Sequence, residues 1–360
     1  MDDYTKANLD WWNEAAVVHA QGDAYELASF KAGKTKLHFL ELEEVGDVTD
    51  KTLLHLQCHF GLDTLSWARL GAKVTGIDFS DKAIALAQSL SQELQLDATF
   101  ICTELYNLPA VLDAAGEFDI VYASYGAIGW LPDLQPWGRI IAHYLKPGGF
   151  FYIAEGHPFM WILDEKSPDL KPGYAYFSKE PIKDETAGTY AEKNAQLVHN
   201  TTYGWNHTFS EIFNSLIAAG LTIDFLHEHP FCAWDPFADM EEGEDRFFRM
   251  KDPQKRDLIP LMFSLKATKL AGYTRGHNRW VKQNSATRFT PGNEAVHTTG
   301  AASPGLASAI DRTAKQGVEM PAHAHLCPCW IWQDNPAERV VRGFAGGDAA
   351  CRLGFSGSER

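Results

Sequence analysis

Leu53 to Leu65 reads "LLHLQCHFGLDTL": a short apolar run, then Gln57-Cys58-His59-Phe60-Gly61, then the start of a helical pattern. An apolar run of that length, without alternation, suits a strand buried on both faces. Gly61 suits a backbone passing close to a ligand. Three readings compete for the turn: a Cys58–His59 nucleophile and base, half a metal site, or the bend of a nucleotide-binding loop. Adjacent side chains on a turn usually diverge, which disfavours the dyad.

The surroundings favour the loop. "DTLSWARLG" places Leu65, Trp67 and Leu70 along a helix that stops at Gly71, with Trp67 a packing residue. "AKVTGIDF" is a second strand, and Ser80 caps the helix of "SDKAIALAQSLSQELQL". "ATFICTE" and "FDIVYASY" read as the third and fourth strands. "LQPWGRIIAHYL" reads as a helix closed by Lys146-Pro147-Gly148-Gly149, and "GFFYIAEG" as the fifth strand. Thr208 and Glu211 have capping-box spacing before "IFNSLIAAG", and "LTIDFL" and "LMFSLKA" complete the unit. The alternation predicts an α/β fold with a doubly wound, mostly parallel sheet. Ligands bind such sheets at the carboxyl ends of the strands, where the turn Gln57–Gly61 lies. Asp78, at the end of the second strand, suits the two hydroxyls of a ribose better than a simple helix cap.

In order, "LLHLQCHFGLDTLSWARLGAKVTGIDFSDKAIALAQ", "TELYNLP", "FDIVYASYGAIGWLPDL" and "YLKPGGFFYIAEG" resemble a class I S-adenosylmethionine-dependent methyltransferase of bacterial small-molecule type, over roughly residues 36–269. The resemblance implies a seven-stranded Rossmann-like sheet whose last strand is antiparallel, with S-adenosylmethionine as cofactor. It puts the glycine-rich loop on Gln57, Cys58, His59 and Gly61, the ribose acid on Asp78 with Phe79 beside it, and the adenine-side acid on Glu104 with the Leu105 amide. Ser124 and Tyr125 fall near the methionine portion. The loop is degenerate: His55 stands where the family has an acid, and Gln57 and His59 replace two glycines. His157, just past the fifth strand, and Tyr125 are the candidates for orienting or deprotonating an acceptor, and His207 is a further histidine near the capping box. A structural hydrogen-bonding role suits His157 about as well.

Composition sets the remaining expectations. The chain has 360 residues, 45% of them hydrophobic, and a formal charge of −15. That charge opposes a nucleic-acid backbone and favours a small-molecule acceptor. No signal peptide, membrane span or disulfide framework is legible, so a cytoplasmic protein is expected; the oligomeric state is not legible. Residues 1–50 read as an N-terminal helical cap or lid carrying Trp11 and Trp12, with a helix docked on the sheet as the open alternative, and 51–270 as the methyltransferase domain, with 156–220 an acceptor-pocket insertion. Residues 271–360, rich in Gly, Ala, Ser and Thr, read as a peripheral, largely irregular tail. His323, His325, Cys327 and Cys329 in that tail have poor spacing for a structural zinc site, and no metal is expected. The alternative to an enzyme is a non-catalytic module that binds S-adenosylmethionine or S-adenosylhomocysteine. A nicotinamide dehydrogenase would need a G-x-G-x-x-G that is absent after Leu56.

Overall fold

The computed structural model describes residues 1–167 and 169–271, all within one compact unit. The expectations for the tail from residue 272 onward, including the His323–Cys329 cluster, lie outside the described residues.

Three helices come first: α1 (Asp3–Gln21), α2 (Leu27–Lys31) and α3 (Phe39–Val45). Alternation then follows, with β1 (Thr52–Leu56), α4 (Leu62–Arg69), β2 (Lys73–Asp78), α5 (Asp81–Leu94), β3 (Ala98–Cys102), α6 (Leu108–Val111), β4 (Phe118–Ser124), α7 (Leu134–Tyr144) and β5 (Leu145–Gly156). The insertion carries the hairpin β6 (Ile182–Glu185) and β7 (Thr201–Gly204). After it come α8 (Phe209–Ala218), β8 (Leu221–His229), the short hairpin β9 (Met240–Glu242) and β10 (Phe248–Met250), and β11 (Met262–Lys269). The seven-stranded sheet has the order β3-β2-β1-β4-β5-β11-β8, with β11 antiparallel to both neighbours. The fold class expected from the sequence is the one observed.

Period-two alternation decides which face each side chain serves. Leu54 and Leu56 of β1 join one core with Trp137, Ile141, Ile212 and Leu216 of α7 and α8. Leu53 points the other way, into a core with Leu40 and Val45 of α3 and Trp67 of α4. Ser80 caps α5 by accepting the Ala83 amide, and Thr208 and Glu211 form the reciprocal box that opens α8. One boundary differs from the reading above. The Lys146–Gly149 stretch, read as a helix terminator, already belongs to β5, because a Cβ at Gly149 would meet the Asp119 and Phe118 carbonyls at 2.8 and 3.0 Å, so only glycine lets the strand edge approach.

Helices α7 and α8 approach through Gly138, where an added Cβ would lie 2.7 Å from the Ser215 carbonyl carbon and 3.3 Å from the Leu216 nitrogen. Backbone on both sides cannot yield without moving a helix. Gly138→Ala gains helix propensity but forces α7 off α8, and the net expectation is a loss of about 1–3 kcal/mol in urea denaturation.

Candidate active site at the carboxyl edge of the sheet

The turn after β1 keeps a glycine-loop backbone although two of its glycine positions are filled by larger residues. Gln57 and His59 have φ of 56° and 52°, and Gly61 has 81°. Left-handed backbone costs a non-glycine residue about 1 kcal/mol or more, so something must hold it. The Asp78 carboxylate does: Oδ2 accepts the His59 amide at 2.8 Å and Oδ1 accepts the Ser80 amide at 2.9 Å. The Gln57 side chain donates to the Ala127 carbonyl at 2.9 Å, tying the loop to the segment after β4. Neighbours leave no room elsewhere. A Cβ at Gly61 would meet the Phe100 ring at 2.7 Å, and one at Gly76 would meet Cys58 Sγ at 2.9 Å. Cys58 is therefore wedged into the core, and burial pushes its thiol well up, so it stays protonated.

Asp78 is 7% exposed, and burial raises its carboxyl to about 6 against the pull of the amides. Glu104 caps the short turn at Leu105–Asn107 through the Tyr106 amide and accepts from Asn107 Nδ2 at 3.0 Å; burial raises it too. Leu105 is buried and Phe79 half-buried. Gln57, Cys58, His59, Gly61, Asp78, Phe79, Glu104 and Leu105 thus line the ends of β1, β2 and β3.

At the fourth strand end, Ser124 Oγ donates to Asp63 at 3.0 Å. Asp63 opens α4, and burial holds its carboxyl above the usual range. It was not among the expected site residues, since a first-turn acid reads as a helix-dipole partner. His55 lies beside it: Nδ1 is 2.8 Å from Thr64 Oγ1, Nε2 is 3.4 Å from Ser124 Oγ, and burial depresses the imidazole to about 3. A neutral histidine thus replaces the strand acid, and the charge stands instead on α4.

Glu155, at the end of β5, is fully buried and accepts the amides of Gly126 and Ala127 at 2.7 Å, Ile128 at 3.1 Å and Gly156 at 2.7 Å. One carboxylate thereby fixes the segment that meets Gln57, at charge-assisted bonds worth about 1.5–3 kcal/mol each. His157 donates its amide to the Leu261 carbonyl. Its Nδ1 accepts from the Phe159 amide at 3.0 Å, and its Nε2 lies 2.9 Å from Glu228. Both ring nitrogens are engaged, away from the loop. His207 Nε2 donates to the Leu131 carbonyl at 2.8 Å.

Helix α1 lies over the loop. Trp12 meets the His59 ring edge-on at 5.1 Å and Trp130 at 5.3 Å; His59 Nε2 is 3.2 Å from His19 Nδ1, and His19 Nε2 is 3.0 Å from Thr189 Oγ1. Asn8 clamps the Tyr203 backbone through two 2.8 Å bonds, and Asn13 bonds Ser80 and Asp81. The Trp11–Trp12 segment is therefore both docked on α5 and folded over the loop.

Orphaned buried atoms at the loop are Gln57 Oε1 and His59 Nδ1. Together with the Asp63 and Asp78 carboxylates they offer acceptors to an ammonium and a diol, the donor groups of a nucleoside that carries an amino acid. The comparisons bear on this arrangement. The sequence pattern of a methyltransferase domain matches residues 53–149. Residues 53–149 are a methyltransferase domain. The chain is 32% identical over 133 residues to an uncharacterized methyltransferase of Synechocystis, covering 36% of this chain and 59% of that one. It is 37% identical over 103 residues to the ubiquinone biosynthesis O-methyltransferase of Caulobacter vibrioides, covering 29% and 40%. The chain thus spans about half the length of the curated relatives it matches. A crystal structure of an S-adenosylmethionine-dependent methyltransferase from Mesorhizobium loti aligns with a TM-score of 0.43 at 18% identity, covering 66% of this chain and 99% of that one. Among the described residues no helix is long and apolar enough to cross a membrane, and no group of three or more His, Cys, Asp or Glu is placed to hold a metal.

The buried histidines set an acid limit on stability. His19 and His38 are depressed to about 4 and His55 to about 3, all by burial. Their stabilisation is complete above pH 6.5, the unfolded value, and is lost as pH falls toward 4. The raised carboxyls of Asp78 and Glu41 act with the opposite sign. A His55→Gln variant isolates one proton: its loss of unfolding free energy from pH 7 to pH 5 is expected to be about 2 kcal/mol smaller than the wild type's. Equal losses would place a charged imidazole in the folded protein.

Proposed function

We propose that this chain transfers the methyl group of S-adenosylmethionine to a small-molecule acceptor. The observation that carries the reading is Asp78 at the end of β2, bonded to a loop that holds glycine-type dihedrals without glycines. The donor supplies a methyl on a sulfonium, already a good electrophile, so the protein's task is in-line positioning and exclusion of water.

In this reading Asp78 accepts the ribose hydroxyls, with Phe79 alongside. Glu104 and the Leu105 amide take the adenine edge. Gln57, Cys58, His59 and Gly61 shape the loop under the methionine portion, where Gln57 Oε1 accepts from its ammonium. Asp63, held by Ser124, supplies the countercharge that neutral His55 lacks. Tyr125 orients the acceptor. His157, whose nitrogens are both engaged, acts by positioning the turn after β5. Helix α1 closes over the loop and keeps water out. The insertion 156–220 shapes the acceptor side, and residues 1–50 and 51–270 form cap and catalytic domain.

Calorimetry tests the assignment. Asp78→Ala removes charge-assisted hydrogen bonds of about 1.5–3 kcal/mol each, so S-adenosylmethionine affinity should fall tenfold or more. Unchanged affinity in a folded Asp78→Ala protein would refute the ribose assignment. Formation of S-adenosylhomocysteine on turnover separates an enzyme from a pure binding module.

A further inference from the structure

Helix α3 carries two inward glutamates one turn apart, and they are treated differently. Glu44 is paired: Oε2 accepts from Tyr152 Oη at 2.8 Å and Oε1 lies 2.7 Å from His227 Nδ1. Glu41 is 0% exposed, and no hydrogen bond of good geometry reaches either of its oxygens, although the Tyr125 hydroxyl lies close enough to lower its carboxyl. The hydroxyls of Tyr122 in β4 and of Tyr125 just after it are also buried without well-formed partners. A fully buried carboxyl with no well-formed hydrogen bond is a costly arrangement that native proteins rarely keep without a use.

The surroundings say what the use is. Facing Glu41 are Tyr122 from β4, Tyr125 just after it, Tyr152 from β5, Asp63 from α4 and His38 at the start of its own helix. None of these is a cation, although Lys36 and Arg246 act on the neighbouring Asp63 and His38. Burial accordingly pushes its carboxyl up to about 8, with Tyr125 opposing and Asp63 adding to the shift. Asp63 is also bonded to Ser124, which puts Glu41 next to the strand end assigned above to the methionine portion of the donor. The His38 and Tyr125 rings meet edge-on at 5.5 Å beside it.

We propose that Glu41, with the Tyr122 and Tyr125 hydroxyls, is the acceptor-binding and proton-accepting end of the site, and that it takes a small planar acceptor presenting an N–H or O–H. The inference rests on the methyltransferase reading above. In the transfer step the acceptor's lone pair forms the bond to the methyl carbon. The carbon–sulfur bond breaks with its electrons to sulfur, and the acceptor's proton passes to the Glu41 carboxylate.

The test uses the full chain saturated with S-adenosylhomocysteine and titrated with 4-nitrophenol and with imidazole, an O–H and an N–H probe. At least one probe should bind saturably to the wild type, with a Kd that rises at least tenfold in Glu41→Gln and in Tyr125→Phe. S-adenosylhomocysteine affinity should be unchanged in both variants. The melting temperature of Glu41→Gln should equal or exceed the wild type's, because the amide replaces a buried acid that no well-formed hydrogen bond compensates. Equal probe binding by the variants, or no probe binding by the wild type, overturns the proposal. So does a fall of about 4 °C or more in Glu41→Gln, which would make the acid structural. A wild type that does not bind S-adenosylhomocysteine overturns the methyltransferase reading, and the proposal with it.

Discussion

The Asp78 carboxylate is the pin of the site. With one oxygen on the His59 amide and the other on the Ser80 amide, it joins the end of β2 to the turn after β1 and to the start of α5. The strain of left-handed Gln57 and His59 is sustained because this bond, the Gln57–Ala127 bond and the packing of Cys58 against Gly76 all fix the same turn. Strained backbone persists only where its surroundings over-determine it, and ligand clamps are a common place for it.

From that pin the site extends in both directions along the strand ends. Toward β3 it reaches Glu104 and Leu105. Toward β4 it reaches Asp63, Ser124 and then Glu41 and Tyr125. Glu155 gathers four amides and so fixes the segment 126–128 that also meets Gln57. In the proposed reading, two hydrogen-bonded acids flank the donor and one acid without a cation partner lies beyond them. Such a gradient suits a cationic donor at one end and a protic acceptor at the other.

The sheet was legible because parallel strands buried on both faces leave apolar runs, and because Ser80, Gly71 and Thr208–Glu211 punctuate the helices by local chemistry. Asp78 was legible from its place at a strand end. What was not legible depends on long-range pairing. Trp11 and Trp12 could not be assigned between lid and docked helix, since Asn8 and His19 find their partners at Tyr203 and Thr189 in the distant insertion. Asp63 looked like an ordinary first-turn acid. Glu41 sat in "ELEE", Glu41 to Glu44, where nothing local says which acid turns inward. The early start of β5 was hidden because Lys146-Pro147-Gly148-Gly149 has the composition of a turn, while the strand edge needs glycine at 149 for close approach.

On the proposed reading, the donor lies between the Gln57–Gly61 loop and helix α1. Hydrogen–deuterium exchange with and without S-adenosylhomocysteine tests this directly. Slowed exchange is expected in the loop, in residues 78–81, in residues 104–107 and in α1 together, because binding must order the loop and the helix that covers it. Protection confined to other segments, or none at saturating ligand, would contradict it.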